Sequence, residues 1–209
     1  MIQYIADIEQ AIVAVKELVF ESEIGLDIET TGLDPILDKI RLVQISTPLN
    51  TYVIDMYHVP LRVLNPILTG GPIKVIHNAK FDAGFLYVAS GGVMAEPIFD
   101  TMITDQVLHH RGYARSLKDL SKEYLDIDLD KGNQTSDWGA EHLSESQIQY
   151  AAEDANVLLP LKHILEEKAV ELQITAVVSL ENRLVPAICW MERSGVNLDS
   201  NLWDELVKS

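Results

Sequence analysis

The segment Leu26-Asp27-Ile28-Glu29-Thr30-Thr31-Gly32 sets two carboxylates at i and i+2 on a run with strand character. Asp27 and Glu29 therefore project from one face, and Leu26 and Ile28 take the other. Two acids side by side near a sheet centre repel one another and lose hydration, so they hold protons unless a cation sits between them. A divalent cation resolves that conflict, although a polar strand end running into a turn is the plainer reading of the same residues. Further along, His77-Asn78-Ala79-Lys80-Phe81-Asp82 follows an apolar run. Asn78 is placed to cap the next helix, with Asp82 in its first turn near the favourable end of the dipole. An acid there is also ordinary capping, and His77 alone reads as a hydrogen-bonded strand end. Tyr150-Ala151-Ala152-Glu153-Asp154 stacks a phenol and a carboxylate on one helical face. A tyrosine at that spacing is equally a core residue with its hydroxyl at the rim.

A scaffold must bring positions 27, 82 and 154 together for any of this to matter. After a short β-like start at Gln3–Ile5, Asp7 caps a predicted helix with apolar face Ile8, Ala11, Ile12, Val15, Leu18 and Val19, and Gln10 holds the capping-box position. Three strand-like runs follow, Ile24–Glu29, Ile40–Ser46 and Thr51–Asp55, joined by Thr31–Pro35 and Pro48–Asn50, short enough for an antiparallel meander. A helix near Leu61–Leu68, a buried strand Ile73–Ile76 and a helix over Ala79–Ala89 then imply strands running parallel in the same sheet. From Asp100 the pattern is helical: Asp100–His109, Ser116–Tyr124, and a segment opening at the Ser144/Gln147 capping box. That last helix runs through Tyr150 and Asp154 towards Pro160, which interrupts it. Ser179–Ser209 adds a helix stopped at Gly195 and a new start at Asp199 or Ser200. The fold class expected is α/β: a mixed sheet, antiparallel meander then parallel strands, flanked by helices, with C-terminal helices.

The 209 residues suit one full domain plus an appendage. With 47% hydrophobic and 23% charged residues, a sizeable core forms and wholesale disorder is excluded. Lys plus Arg is 16 against 32 for Asp plus Glu, a net charge of −16 that disfavours a broad nucleic-acid platform held by phosphate attraction. The lone Cys189 excludes an internal disulfide and any multi-cysteine zinc module, and suits a reducing compartment. No apolar run approaches the roughly 18 residues that span a bilayer, and Asp7, Glu9 and Glu17 interrupt the start where a signal peptide would be basic then apolar. The expectation is a cytoplasmic protein with no membrane partner, or an organellar one after processing.

Taken together, acids at 27, 29, 82 and 154, with a tyrosine four before the last, arrive in this order on a βββαβα scaffold. Leu26–Pro35, Asn78–Asp82 and Tyr150–Ala155 resemble the three exonuclease motifs of the DEDD superfamily, in its tyrosine-bearing (DEDDy) branch, over about residues 1–172. Phe99-Asp100-Thr101 and the stretch Asp130–Trp138 also resemble family segments, the latter strongest in ribonuclease D-like members. Glu181–Ile188 and Met191–Asp199 resemble the passage where a family A (polymerase I-like) DNA polymerase leaves its exonuclease domain. The implied division is a 3′–5′ exonuclease domain at 1–172 on a ribonuclease H-like sheet, then a helical segment at 173–209 opening a polymerase domain whose own motifs are absent.

The resemblance implies hydrolysis of the 3′-terminal phosphodiester with two divalent cations, releasing nucleoside 5′-monophosphates. Oxygen ligands select Mg²⁺ or Mn²⁺. Asp27 is expected to contact both ions, Glu29 and Asp154 the one that holds the attacking water, and Asp82 the other, partly through water. Tyr150 and Glu29 are the expected catalytic pair, binding and orienting that water. Thr30, Leu33, Asn78 and Trp138 are the expected substrate contacts. Leu33 would wedge between the last two bases, unless it is a turn leucine tucked into the core, and Trp138 would stack on a base. Gln106–Lys118, with His109, His110, Arg111, Arg115 and Lys118 and no acid, guides a strand or docks a partner domain, or is simply a solvated helix end. The expected partner is a single-stranded DNA 3′ end, with a polymerase domain in cis or trans, and a nucleoid setting if the source is bacterial. A ribonuclease D-like 3′ exoribonuclease acting on RNA and an inactive exonuclease-like spacer or binding module are the alternatives.

Overall fold

The computed structural model describes residues 1–110, 112–130 and 132–208. β1 (Ile2–Ile5) leads to α1 (Ile8–Leu18), whose first turn is fastened by the Asp7 carboxylate accepting from the backbone N–H of Gln10 at 3.0 Å. The meander is β2 (Glu23–Thr30), β3 (Ile40–Ser46) and β4 (Thr51–Asp55). A 3₁₀ turn (Leu61–Leu64), α2 (Asn65–Leu68), β5 (Thr69–Ile76), α3 (Ala79–Ala89) and β6 (Glu96–Asp100) complete the sheet region. Then come α4 (Thr101–His109), α5 (Leu117–Leu125), α6 (Glu145–Asn156), α7 (Leu158–Glu171), α8 (Thr175–Ser194) and α9 (Ser200–Lys208).

Among the described residues six strands form one sheet in the order β1-β4-β3-β2-β5-β6. β2, β3 and β4 pair antiparallel, while β1, β5 and β6 join in parallel, so the sheet is mixed as expected. Alternation divides the strand residues between two layers. Leu26, Ile28, Val43, Ile45 and Ile54 meet α1 and α3 on one face. Leu42 and Val53 meet Trp138 and the Tyr150, Ala151 and Ala152 side of α6 on the other. The alanines leave little bulk between α6 and the sheet, so helix and strands approach closely. α8 closes the first layer through Val185 and Cys189, whereas no residue of α9 is buried.

Three expectations are corrected. β6 is a strand that the sequence pattern does not announce, because Glu96 and Pro97 break its apolar run, and an edge position next to β5 is what tolerates them. The buried face of α1 is Ala11, Ala14, Val15 and Leu18, with Ile8 and Ile12 left about two-fifths exposed, since small side chains let the helix sit close. β5 starts at Thr69 rather than Ile73 and carries an irregularity before Lys74. The interruption near Pro160 is present: α6 ends at Asn156, whose carbonyl Pro160 cannot serve because it lacks an N–H. Among the described residues no helix is long and apolar enough to cross a membrane.

Candidate active site

Asp27 and Glu29 lie on β2 opposite Gln44 and Leu42 of β3, so both acids face the layer covered by α6. Gly25 shares that face and explains how α6 comes so near. A Cβ there would fall 2.2 Å from Ser46 Oγ and 2.7 Å from the Ala155 carbonyl, so only glycine fits. Ser46 Oγ donates to that same carbonyl at 2.7 Å, pinning the end of α6 on the sheet. Asp154, one residue earlier, is thereby delivered to Asp27. The start of α6 is fixed by the Ser144/Gln147 capping box, and Gln147 Nε2 reaches Ser136 Oγ and the Asp137 carbonyl, tying the preceding loop to the helix.

One oxygen each of Asp27, Glu29 and Asp154 lies within 4.8 Å of the others. Asp82 joins from the first turn of α3, almost fully buried, with Oδ1 lacking a hydrogen-bond partner. Burial first, then the charge of Asp154, holds the Asp27 carboxyl well above the usual carboxylate range. Burial and then Asp27 do the same to Asp82. Glu29 is pushed up to about 10, by burial and then by Asp27, Asp154 and Asp82. Carboxyls that repel one another in a dry site take up protons or a cation. Four hard oxygen donors, one carrying an orphaned buried atom, fit divalent cations of the magnesium class.

The Tyr150 ring packs beside Trp138, centroids 6.3 Å apart, and its hydroxyl bonds to Asp154. Burial, then the charges of Asp154 and Glu29, push the phenol above the ordinary tyrosine range. It stays protonated and can donate to, or accept from, a water without acting as a bulk base.

Asn78 does not cap α3, which corrects the sequence expectation. It adopts a left-handed conformation, φ 61°, with no capping bond from its side chain. Asp100 caps instead, from β6: its Oδ1 accepts from Asn78 N at 3.2 Å and its Oδ2 from Ala79 N at 2.8 Å. The same Oδ1 caps α4 through Met102 N at 2.8 Å. One buried carboxylate thus sets the start of two helices and the position of Asp82. Its sequence signal was an aspartate before a helix, which revealed α4 but not the reach to α3. Asn78, freed from capping, lines a cleft of about 390 Å³ together with Asp27, His77, Arg115, Tyr150 and Asp154.

The turn after β2 is ordered by Thr30 Oγ1 donating to the Gly32 carbonyl at 2.6 Å and by Asp34 Oδ1 accepting from Ile36 N at 2.8 Å. It presents Leu33 to solvent at 83% exposure, so this leucine is not a core residue. Trp138 is the reverse case: at 5% exposure it packs with Leu42, Val53 and Tyr150 and offers no surface for a base. The loop is turned inward by Gln147 and by Arg41 donating to the Glu141 carbonyl at 3.4 Å. Two cations of the basic stretch are paired: Arg115 meets Asp105 and Glu123, and Lys118 meets Asp128. Arg111 of that stretch, Lys131 of Asp130–Trp138, and Ser209 at the end of the helical segment lie outside the described residues.

An acid cluster at the centre of a mixed, ribonuclease H-like sheet defines the class, the nucleases of the DEDD superfamily, which use divalent metals. Residues 2–169 match the family described as 3′-5′ exonuclease, and the chain belongs to it. It is 43% identical over 164 residues to DNA polymerase I of Aquifex aeolicus, covering 76% of this chain and 26% of that protein. It is 30% identical over 154 residues to ribonuclease D of Haemophilus influenzae, covering 71% and 37% respectively. The chain therefore spans about a quarter to well under half of the length of these two relatives. The crystal structure of Escherichia coli RNase D, titled an exoribonuclease involved in structured RNA processing, superposes with a TM-score of 0.84 at 23% identity, over 91% of this chain and 51% of that one. That likeness is one of fold.

Proposed function

We propose that this chain is a DEDDy-type, metal-dependent 3′–5′ exonuclease that removes nucleoside 5′-monophosphates from single-stranded or frayed DNA 3′ ends, as a proofreading module does. The convergence of Asp27, Glu29 and Asp154 oxygens beside the Tyr150 hydroxyl carries the reading. Asp27, Glu29, Asp82 and Asp154 would hold two divalent cations, Mg²⁺ or Mn²⁺. When bound, such a pair acidifies a water and neutralises the leaving 3′ oxygen. Glu29 accepts a hydrogen bond from the attacking water, and Tyr150 hydrogen-bonds the same water so that a lone pair of the water faces phosphorus. Thr30, Asn78 and the exposed Leu33 meet the terminal nucleotides, with Leu33 stacking on a base without reading sequence. Trp138 supports Tyr150 from behind rather than touching substrate.

DNA is preferred as substrate because the 43% identity to a DNA polymerase I exceeds the 30% to a ribonuclease D. A polymerase domain in cis or trans fits residues 173–209, where α9 exposes Leu202, Trp203 and Leu206. With a net charge of −16, the chain needs such a partner for most of its grip on the strand. A cytoplasmic setting goes with that substrate. The second reading, a ribonuclease D-like exoribonuclease, draws on the Haemophilus relative and on Asp130–Trp138. Matched DNA and RNA oligonucleotides digested in parallel, with Mg²⁺ or with chelator, separate the two. Faster mononucleotide release from DNA is expected; strong preference for RNA overturns the choice of substrate, and no metal-stimulated release from either supports an inactive module.

A further inference from the structure

Gln44 sits at the centre of β3, fully buried, and neither its Oε1 nor its Nε2 has a hydrogen-bond partner. A primary amide left unpaired in a sheet interior is a standing penalty, unusual enough to call for a reason. Its nearest neighbours on the same face follow from the register: Asp27 directly opposite on β2, Val53 directly opposite on β4, and Leu42 and Ser46 two residues to either side on its own strand. Directly opposed residues have Cβ atoms about 5 Å apart. Leu42 and Val53 are apolar and the Ser46 hydroxyl already donates to the Ala155 carbonyl, so Asp27 is the neighbour of these four best placed to exchange a hydrogen bond with the amide. Three of the acids carry no comparable side-chain amide in register: Glu29 faces Leu42, and Asp82 and Asp154 reside on helices.

We propose that Gln44 is a positioning residue: its amide, unpartnered in this structure, turns to donate to the Asp27 carboxylate when that group is ionised to hold divalent cations, and orients it for them. This rests on reading Asp27 as a metal ligand. A carboxylate ligand bonded from behind by a neutral donor keeps one rotamer and one lone-pair direction, and such partners matter nearly as much as the ligands themselves. Nε2–H to an ionised carboxylate is a charge-assisted bond, stronger than one between neutral groups. An amide rather than a lysine does this without placing a competing cation in the site.

Calorimetric titration of the whole chain with Mn²⁺, compared with Gln44→Met, tests this without any activity measurement. Methionine keeps the length and removes both polar atoms. The expected result is Mn²⁺ affinity weakened about 10- to 100-fold, with a metal-free Tm equal to or above that of the parent. Affinity within twofold of the parent overturns the proposal, as does weakened affinity with a lowered metal-free Tm, which assigns Gln44 to packing. Should the variant not fold, titrating the ¹⁵N-labelled parent with Mg²⁺ decides: the Gln44 side-chain amide resonances shift and saturate with the ion if the proposal holds, and stay fixed if it fails. A parent chain that binds neither ion sinks the metal-site reading itself.

Discussion

Replacing Gly25 by alanine attacks the contact that brings α6 to the acids of β2. The added Cβ would stand 2.2 Å from Ser46 Oγ and 2.7 Å from the Ala155 carbonyl. Ser46 can rotate away, but then loses its 2.7 Å bond to that carbonyl, worth about 1 kcal/mol. The carbonyl is backbone and cannot rotate. Reaching an ordinary 3.4 Å contact requires a shift of about 0.7 Å at Ala155, next to Asp154. Overpacking of this kind costs about 1–3 kcal/mol, or a Tm lowered by roughly 2–12 °C for a chain of this size. A misplacement approaching 1 Å at a reacting centre costs about 10²-fold in rate. Turnover on a single-stranded oligonucleotide with a 3′-terminal label, alongside thermal unfolding, reads both. Pairing with Ser46→Gly relieves the side-chain clash and leaves the carbonyl clash, so the double variant is expected to recover some stability but little turnover. A Gly25→Ala protein with parental Tm and turnover within twofold of the parent would refute the idea that this contact sets Asp154.

Three further outcomes are expected. Tyr150→Phe removes the hydroxyl bonded to Asp154 and lowers single-turnover cleavage about 10²-fold with Mn²⁺ affinity unchanged; unchanged cleavage removes the tyrosine from the chemistry. In chelator, the folded chain keeps protons on Asp27, Glu29 and Asp82 that the unfolded chain releases above the ordinary carboxylate range. Stability therefore falls as pH climbs from about 5 towards the Glu29 value of about 10. The Tm gained on adding Mg²⁺ should accordingly be larger at pH 9 than at pH 6, and Asp27→Asn should raise the metal-free Tm at pH 8; the opposite trend places no repulsion in the cluster. Leu33→Ala, at a side chain 83% exposed, should weaken binding of single-stranded ends by about 1–2 kcal/mol, the apolar burial lost with the wedge, with Tm unchanged, and an unaltered KM excludes the wedge.

What the sequence made legible was local. Asp27 and Glu29 share a face because of strand alternation, Ser144 and Gln147 cap because of their spacing, and the short connections of the meander allow nothing but antiparallel pairing. What it hid was settled across the chain. The spacing offers Asn78 as the cap for α3, but Asp100, 22 residues away, takes both amides, leaving Asn78 to line the cleft. Trp138, expected to stack on a base, is buried because hydrogen bonds from Gln147 and Arg41 draw its loop inward. Leu33 left both readings open, and hydrogen bonds within its own turn decide for exposure. Gly25 and Gln44 carry no pattern at all, and their importance appears only with the partner strand and helix in place.

Anomalous diffraction from a crystal of the chain soaked in Mn²⁺ tests most directly whether these carboxylates form a two-cation centre. Peaks enclosed by Asp27, Glu29, Asp82 and Asp154, beside the Tyr150 hydroxyl, are predicted. Ions bound elsewhere, with that cluster empty at saturating Mn²⁺ and alkaline pH, would contradict the account.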